Sequence, residues 1–374
     1  TYADLFRFLN SGFAVLVLDG ADSALVFGIQ GYDKRSVSEP SGEDNVMGAK
    51  DGFIEVVRVN MSLLRRRMKT PQLKLELFVK GSKSQTDLCL CYMADRVPQS
   101  LIAQIKARLD EMELESILSS GYLQPFLENR RGCLFDTVGT TQRPDVLCAK
   151  LLEGRVGLLI DGTPFALVIP KLFCESFQTM DDYCYRPAYA TLVRWIKYAA
   201  FLVAVLLPAL YVAIALHHPE LLNRTLLLIL ADAEENAPIS LTAEAIGVLL
   251  VYEIIREAGL RLPKAVGGAV SIVAGLIIGD AAVASGLIST PMLTVTAIAV
   301  IAGFVVPDLA QSITLLRLAF LLIAGFWGLF GISLLGAAVL FNLCAGESFG
   351  FPITAPIAPL YKKGFRDTLT PVSY

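Results

Sequence analysis

Apolar and polar positions alternate on two different scales along this chain. Up to about residue 197 the apolar runs are short and bounded by turn-forming residues. Residues 13–18 and 25–29 are rich in Val and Leu and flank Asp19-Gly20-Ala21-Asp22-Ser23, which predicts a β-hairpin. Residues 31–45 are polar, with Pro40 and Gly42, and read as loop. Over 51–68, apolar residues recur at helical spacing, and Arg65, Arg66 and Arg67 fall in the last turn, where cations favour the helix dipole. Residues 73–79 and 88–93 alternate like half-buried strands, which puts Cys89 and Cys91 on one face. Pro98 opens a helix to about residue 115, and 156–161 with 165–169 form a last hairpin through Gly162-Thr163-Pro164. Glu153 and Arg155 stand at its entrance as a charged surface suited to assembly, together with Arg65–Arg67. The sum is an α/β domain over 1–170, followed by a linker over 171–197.

Beyond that point the apolar runs lengthen. Residues 198–216 carry no charge and are long enough to cross a hydrocarbon core of about 30 Å. Arg194, Trp195 and Lys197 precede them as an interfacial, positive-inside flank, and Pro208 lies within the span. Residues 221–231 are too short to span and contain Arg224, which predicts an interfacial or re-entrant piece. Residues 241–258 read as a helix with Glu244, Glu253, Arg256 and Glu257, its last two turns emerging into water or a vestibule. Over 265–288, Gly268, Gly275, Gly279, Ala282 and Gly286 fall within about 40° of one line at ~100° per residue. Small residues so aligned let another backbone approach closely in lipid. Asp280 lies about 120° from that face. An acid at such depth is a candidate for an ion path, as is Glu253, although Asp280 equally suits the cap of a broken half-helix. Residues 292–306 and 318–343 are further spans, with Arg317 at the entrance of the second. Four or five crossings form an all-α membrane domain over 198–346, and Lys362, Lys363 and Arg366 favour a cytoplasmic tail over 347–374.

Composition supports this division. Hydrophobic residues make up 54% of the 374 residues, and the mean hydropathy of +0.57 is too apolar for an ordinary soluble protein. Of 32 Lys and Arg, 24 precede residue 198, as do 24 of 35 Asp and Glu, so the first part is balanced and well solvated. No basic tract points to nucleic acid. Seven cysteines are irregularly spaced without a CxxC pair, which suits reduced thiols in a cytosolic compartment. The two histidines, His217 and His218, adjoin a membrane exit, and no phosphate-binding loop or zinc-protease motif is present. Asp181-Asp182 reads as a solvated polar pair. These patterns predict no catalytic residues, no metal and no cofactor. Thr1 opens inside an amphipathic segment, so residues before it are expected to be missing.

Motif wording adds what spacing alone does not. Arg35-x-x-Ser38-Glu39-Pro40 precedes Gly48-x-x-Asp51-Gly52-Phe53-x-Glu55, Asn60-x-x-Leu63-x-Arg65-Arg66-Arg67 and Arg143-Pro144-Asp145. Leu152-Glu153-Gly154-Arg155-Val156, Asp161-Gly162-Thr163-Pro164-Phe165 and Pro170 follow. Arg256-Glu257-Ala258-Gly259-x-Arg261-Leu262-Pro263, Ala269-Val270-Ser271-Ile272-Val273, Ser348-Phe349-Gly350-x-Pro352 and Pro356-x-x-Pro359-Leu360 complete the series. Together these resemble the A-subunit family of spore germinant receptors of the GerA type, which includes a sporulation stage V relative. The sequence departs from that pattern at 133–142, ahead of the Arg-Pro-Asp motif. The resemblance implies a multi-pass protein of the endospore inner membrane, its soluble domain on the core side, acting in nutrient-triggered germination. It implies homo-oligomers that release monovalent cations, beside a transporter-like B subunit and a lipoprotein C subunit. A non-conducting scaffold is the alternative, and a secondary transporter a further one.

Overall fold

The computed structural model describes residues 1–29, 33–40, 42, 43, 45–128, 133–235, 239–262, 275, 281–360 and 365–370, without the side chains of 226, 229, 232–235, 365 and 366. They form two compact units: Thr1–Arg131 with Asp136–Lys171 and Glu347–Phe351, and Gly132–Phe135 with Leu172–Gly346 and Pro352–Tyr374.

The first unit is α/β. Helix α1 (Tyr2–Asn10) leads into the antiparallel hairpin β1 (Ala14–Val17) and β2 (Ala24–Phe27), as the turn residues require. Next come α2 (Val57–Arg67), β3 (Leu73–Lys80), β4 (Thr86–Met93), α3 (Gln99–Asp110), α4 (Gln124–Leu127), β5 (Gly139–Thr141), α5 (Pro144–Leu152), β6 (Val156–Ile160) and β7 (Ala166–Ile169). The last five strands form an antiparallel sheet in the order β3-β4-β6-β7-β5. Period-two alternation divides β4 between two cores. Leu88, Leu90 and Tyr92 pack with Leu101, Ile105 and Leu109 of α3 on one face, while Cys89, Cys91 and Met93 meet α2 and α5 on the other. Gly157 admits α5 here, because a Cβ would stand 2.7 Å from Leu147.

Helix α2 starts six residues later than its apolar spacing predicts. Residues 51–55 stay outside it because their hydrogen-bonding groups are engaged elsewhere. Gly52 N donates to Ser38 O (2.9 Å) and Phe53 N to Gln142 O (2.7 Å). The buried Asn60 side chain takes both polar groups of Ile54 (2.9 and 2.6 Å). Val57 N then donates to Asp161 Oδ1 (2.9 Å), so the Asp161-Gly162 turn caps the helix start. Burial raises the Asp161 carboxyl above the usual carboxylate range, against the opposing Val57 hydrogen bond.

The second unit is helical. It comprises α6 (Asp181–Cys184), α7 (Pro187–His217), α8 (Arg224–Glu235), α9 (Leu241–Arg261), the single turn α10 (Ala282–Ala284), α11 (Thr290–Phe304), α12 (Ala310–Ala345) and α13 (Phe365–Leu369). Among the described residues, two helical stretches, Pro187–His217 and Pro307–Ala345, are long and apolar enough to cross a membrane. Helix α11 is apolar but, at 15 residues, rises only about 22 Å. The linker read over 171–197 packs within this unit from Leu172 on, with Phe173 and Phe177 against each other and Phe177 stacked on Tyr198 of α7.

Candidate functional site

Among the described residues, the buried charged groups of the helical unit gather in three places. The first is Arg317, which is 4% exposed. Sequence spacing put it at a helix entrance, but α12 starts at Ala310, just after Pro307-Asp308, and carries Arg317 two turns inward. Its Nε donates to Ala204 O (2.7 Å) and its Nη2 to Ala299 O (3.2 Å), joining α7, α11 and α12. The first acceptor has a specific origin. Pro208 has no N–H, so it leaves the carbonyl four residues earlier, that of Ala204, without its helical partner. Arg317 supplies the missing donor. One turn away on α12, Thr314 Oγ1 donates to Glu253 Oε1 (3.0 Å), and the other Glu253 oxygen pairs with Arg256 (2.7 Å). Glu253, expected on a helix end emerging into water, therefore lies against α12.

The second place is Glu244, 1% exposed near the start of α9. Its Oε1 accepts from the backbone N (2.6 Å) and hydroxyl (2.8 Å) of Ser289, the residue preceding α11. A carboxylate there complements the positive end of the α11 dipole.

The third is an ion-pair cluster at the beginning of α7. Asp182 is 2% exposed and Arg194 fully buried, which corrects the reading of Asp182 as half of a solvated pair. Lys197 Nζ reaches Asp182 Oδ1 (3.0 Å) and Thr179 Oγ1 (2.9 Å), while Arg194 meets Asp182 Oδ2 (3.4 Å). Arg194 also donates to the Asp367 carbonyl, which Gln178 Nε2 shares at 2.9 Å. Spacing could have found this cluster: Arg194 and Lys197 are three apart on one helix and face an acid twelve or fifteen residues earlier. Trp195 alone of that flank is exposed.

Of the small face expected over 265–288, Gly268 and Gly279 lie outside the described residues, as does Asp280. Among the described residues, nothing lies within 4 Å of where a Gly275 Cβ would stand, and Ala282 and Gly286 are half-buried. In the α/β unit the assembly candidates have divided roles. Arg65 and Arg66 are exposed, with Arg66 3.8 Å from Asp51, whereas Arg67 pairs closely with Asp51. Glu153 pairs with Lys150 (3.2 Å), and Arg155 donates to Pro170 O (2.5 Å), so these two secure the end of the hairpin. Arg143 is buried; it grips Asp145 through two nitrogens (3.1 and 2.6 Å) and donates to Ala49 O (3.0 Å). Thus the Arg-Pro-Asp motif pins the 45–52 segment through Ala49. Among the described residues, no group of three His, Cys, Asp or Glu side chains is placed to hold a metal ion.

The whole-chain comparison decides the family. The profile described as Bacillus/Clostridium GerA spore germination protein matches residues 1–373. The chain belongs to the GerA family. Spore germination protein KA of Bacillus subtilis is 38% identical over 98% of this chain and 68% of its own length. Spore germination protein GerLA of Bacillus cereus is 33% identical over 98% of this chain and 75% of its own. An uncharacterized membrane protein of Bacillus subtilis, YfkQ, is 38% identical over 95% and 70%. The crystal structure of the N-terminal domain of the A subunit of the Bacillus megaterium spore germinant receptor GerK3 shares 38% identity, covering 33% of this chain and 97% of that one, with a TM-score of 0.27. This GerA-family chain is an A-type germination subunit, and its role is in spore germination.

Proposed function

We propose that this A subunit forms an oligomeric path for monovalent cations in the inner spore membrane, with four or five crossings and its α/β unit on the core side. The observation that carries the reading is the Thr314–Glu253–Arg256 constellation beside Arg317, polar and charged groups set among apolar helices. Ionisable side chains are costly in such surroundings and mark ion paths. Small residues aligned over 265–288 would let a helix of a second copy approach closely. Partners in this reading are a transporter-like B subunit, a lipoprotein C subunit and further copies of this chain.

Reconstitution into liposomes loaded with potassium tests the proposal. Flux above that of empty vesicles is expected, and its absence from oligomeric protein would leave a non-conducting scaffold. One observation favours that second reading: Arg317 and Asp182 are each engaged within the unit, as in a static support. Asp280→Asn separates the two readings further, because it removes charge while keeping shape. Altered cation selectivity with intact assembly is expected. Unchanged selectivity and conductance would assign Asp280 to helix capping, where Asn serves about as well.

A further inference from the structure

Helix α12 is not continuous. Gly328, near its middle, has φ 59° and ψ −144°, far from helical values and in a region that residues with a Cβ almost never occupy. The break separates a half of 18 residues (310–327) from one of 17 (329–345). A break of this kind frees carbonyls of the preceding turn, and one of them has found a partner from another helix. His217, the last residue of α7, places Nε2 3.0 Å from Gly325 O. A carbonyl only accepts, so Nε2 carries the proton. The ring also lies against the break itself, since a Cβ on Gly328 would stand 2.9 Å from His217 Cβ and Cγ. One imidazole therefore shapes the chain on both sides of the break. It satisfies the released carbonyl and occupies the space that a side chain at 328 would need.

We propose that Gly328 is a hinge between the two halves of α12 and that His217 is the pin that holds it in the resting bend. Release of the pin lets the second half swing, and this is the gating movement of the path proposed above, on which the gating part of the inference rests. Sharp breaks in apolar helices arise at Gly, Pro or inserted groups, and here Gly and an inserted side chain coincide. Discontinuous helices in membrane proteins place movable backbone at working sites.

The test uses the full chain with its partner subunits in lipid vesicles. Exposed Cys184 and Cys344 are replaced by Ser, and spin labels are placed at exposed Leu315 and Phe341. In a straight helix their Cα atoms would be about 39 Å apart. Wild type is expected to give one narrow distribution shorter than that. His217→Phe, which keeps bulk but loses the donor, should broaden it toward the straight-helix value, whereas His217→Gln, which keeps an N–H donor, should not. Gly328→Ala should shift the whole distribution, because Ala is strained at φ 59° and clashes with the ring. Identical distributions in wild type, His217→Phe and Gly328→Ala would overturn the hinge. Spores carrying His217→Phe should germinate several-fold more often in buffer without added nutrient. No increase despite a broadened distribution would overturn the gating role. The distance reports the bend whether or not the subunit conducts, so failure of the hinge and failure of the conduction reading are distinguishable.

Discussion

Arg317 and Pro208 form a residue pair that sequence separation conceals. A proline inside a helix removes one donor, and an arginine 109 positions later supplies it. The pairing predicts a measurable coupling. Arg317→Met should destabilise the helical unit, and in a Pro208→Ala background it should do so by about 1.5–3 kcal/mol less, the worth of a hydrogen bond to a charged group. The alanine of that background would donate its own N–H to Ala204 O. Denaturant titration of the detergent-solubilised protein measures the cycle, and additive effects would dissolve the pair. In the α/β unit, Cys148 carries a different residue-scale prediction. Burial pushes its thiol from 9.0 up to about 11, so the folded state retains a proton that the unfolded chain loses first. Stability from this group is therefore full below pH 9 and is lost as pH rises through about 11. Urea unfolding from about pH 8 to 11 should show the loss, and Cys148→Ala should flatten it.

At the scale of elements, the cluster that joins α6, α7 and α13 is more than a surface pairing. Asp182→Asn would leave Arg194 and Lys197 buried without that carboxylate, a change expected to cost about 3–5 kcal/mol. Thermal unfolding of the helical unit checks it; a loss under about 1 kcal/mol would show the pairing to be solvent-screened. The hairpins, strands β3, β4, β6 and β7 and the long apolar helices were legible from local periodicity, which is a property of neighbours in sequence, whereas the three-residue β5 and helix α5 were not. What escaped was set by distant partners. The start of α2 depends on Asn60 and Asp161, the depth of Arg317 on Pro307, and the burial of Asp182 on helix α7. The break at Gly328 leaves no mark in the apolar run 318–343, because it depends on contact with His217 of another helix. The cysteines on β4 show the opposite case. Two-residue spacing placed Cys89 and Cys91 together, and their sulfurs lie 3.8 Å apart.

For the molecule as a whole, orientation in the membrane is the property that flanking charge predicts and a labelling experiment decides. Lys197 is a poor reporter because it is buried against Asp182, but Trp195 and Leu360 are exposed in the same unit. Trp195→Cys and Leu360→Cys, each on a background with Cys184 and Cys344 replaced by Ser, should react with an impermeant maleimide from one side only, the same for both. Opposite sides would exclude an even number of crossings between them. The manner in which α13 is held carries a genetic consequence. Gln178 and Arg194 read the carbonyl of Asp367, and Tyr198 lies 3.5 Å from that of Thr368, so the segment is recognised largely by its main chain. Its letters are therefore freer to drift than its presence is to be lost. Missense alleles at 367 forfeit the Tyr183 contact and a long ion pair, yet keep the carbonyl. A premature stop ahead of codon 365 would erase every one of these attachments at once, making nonsense alleles there far more severe than any single replacement.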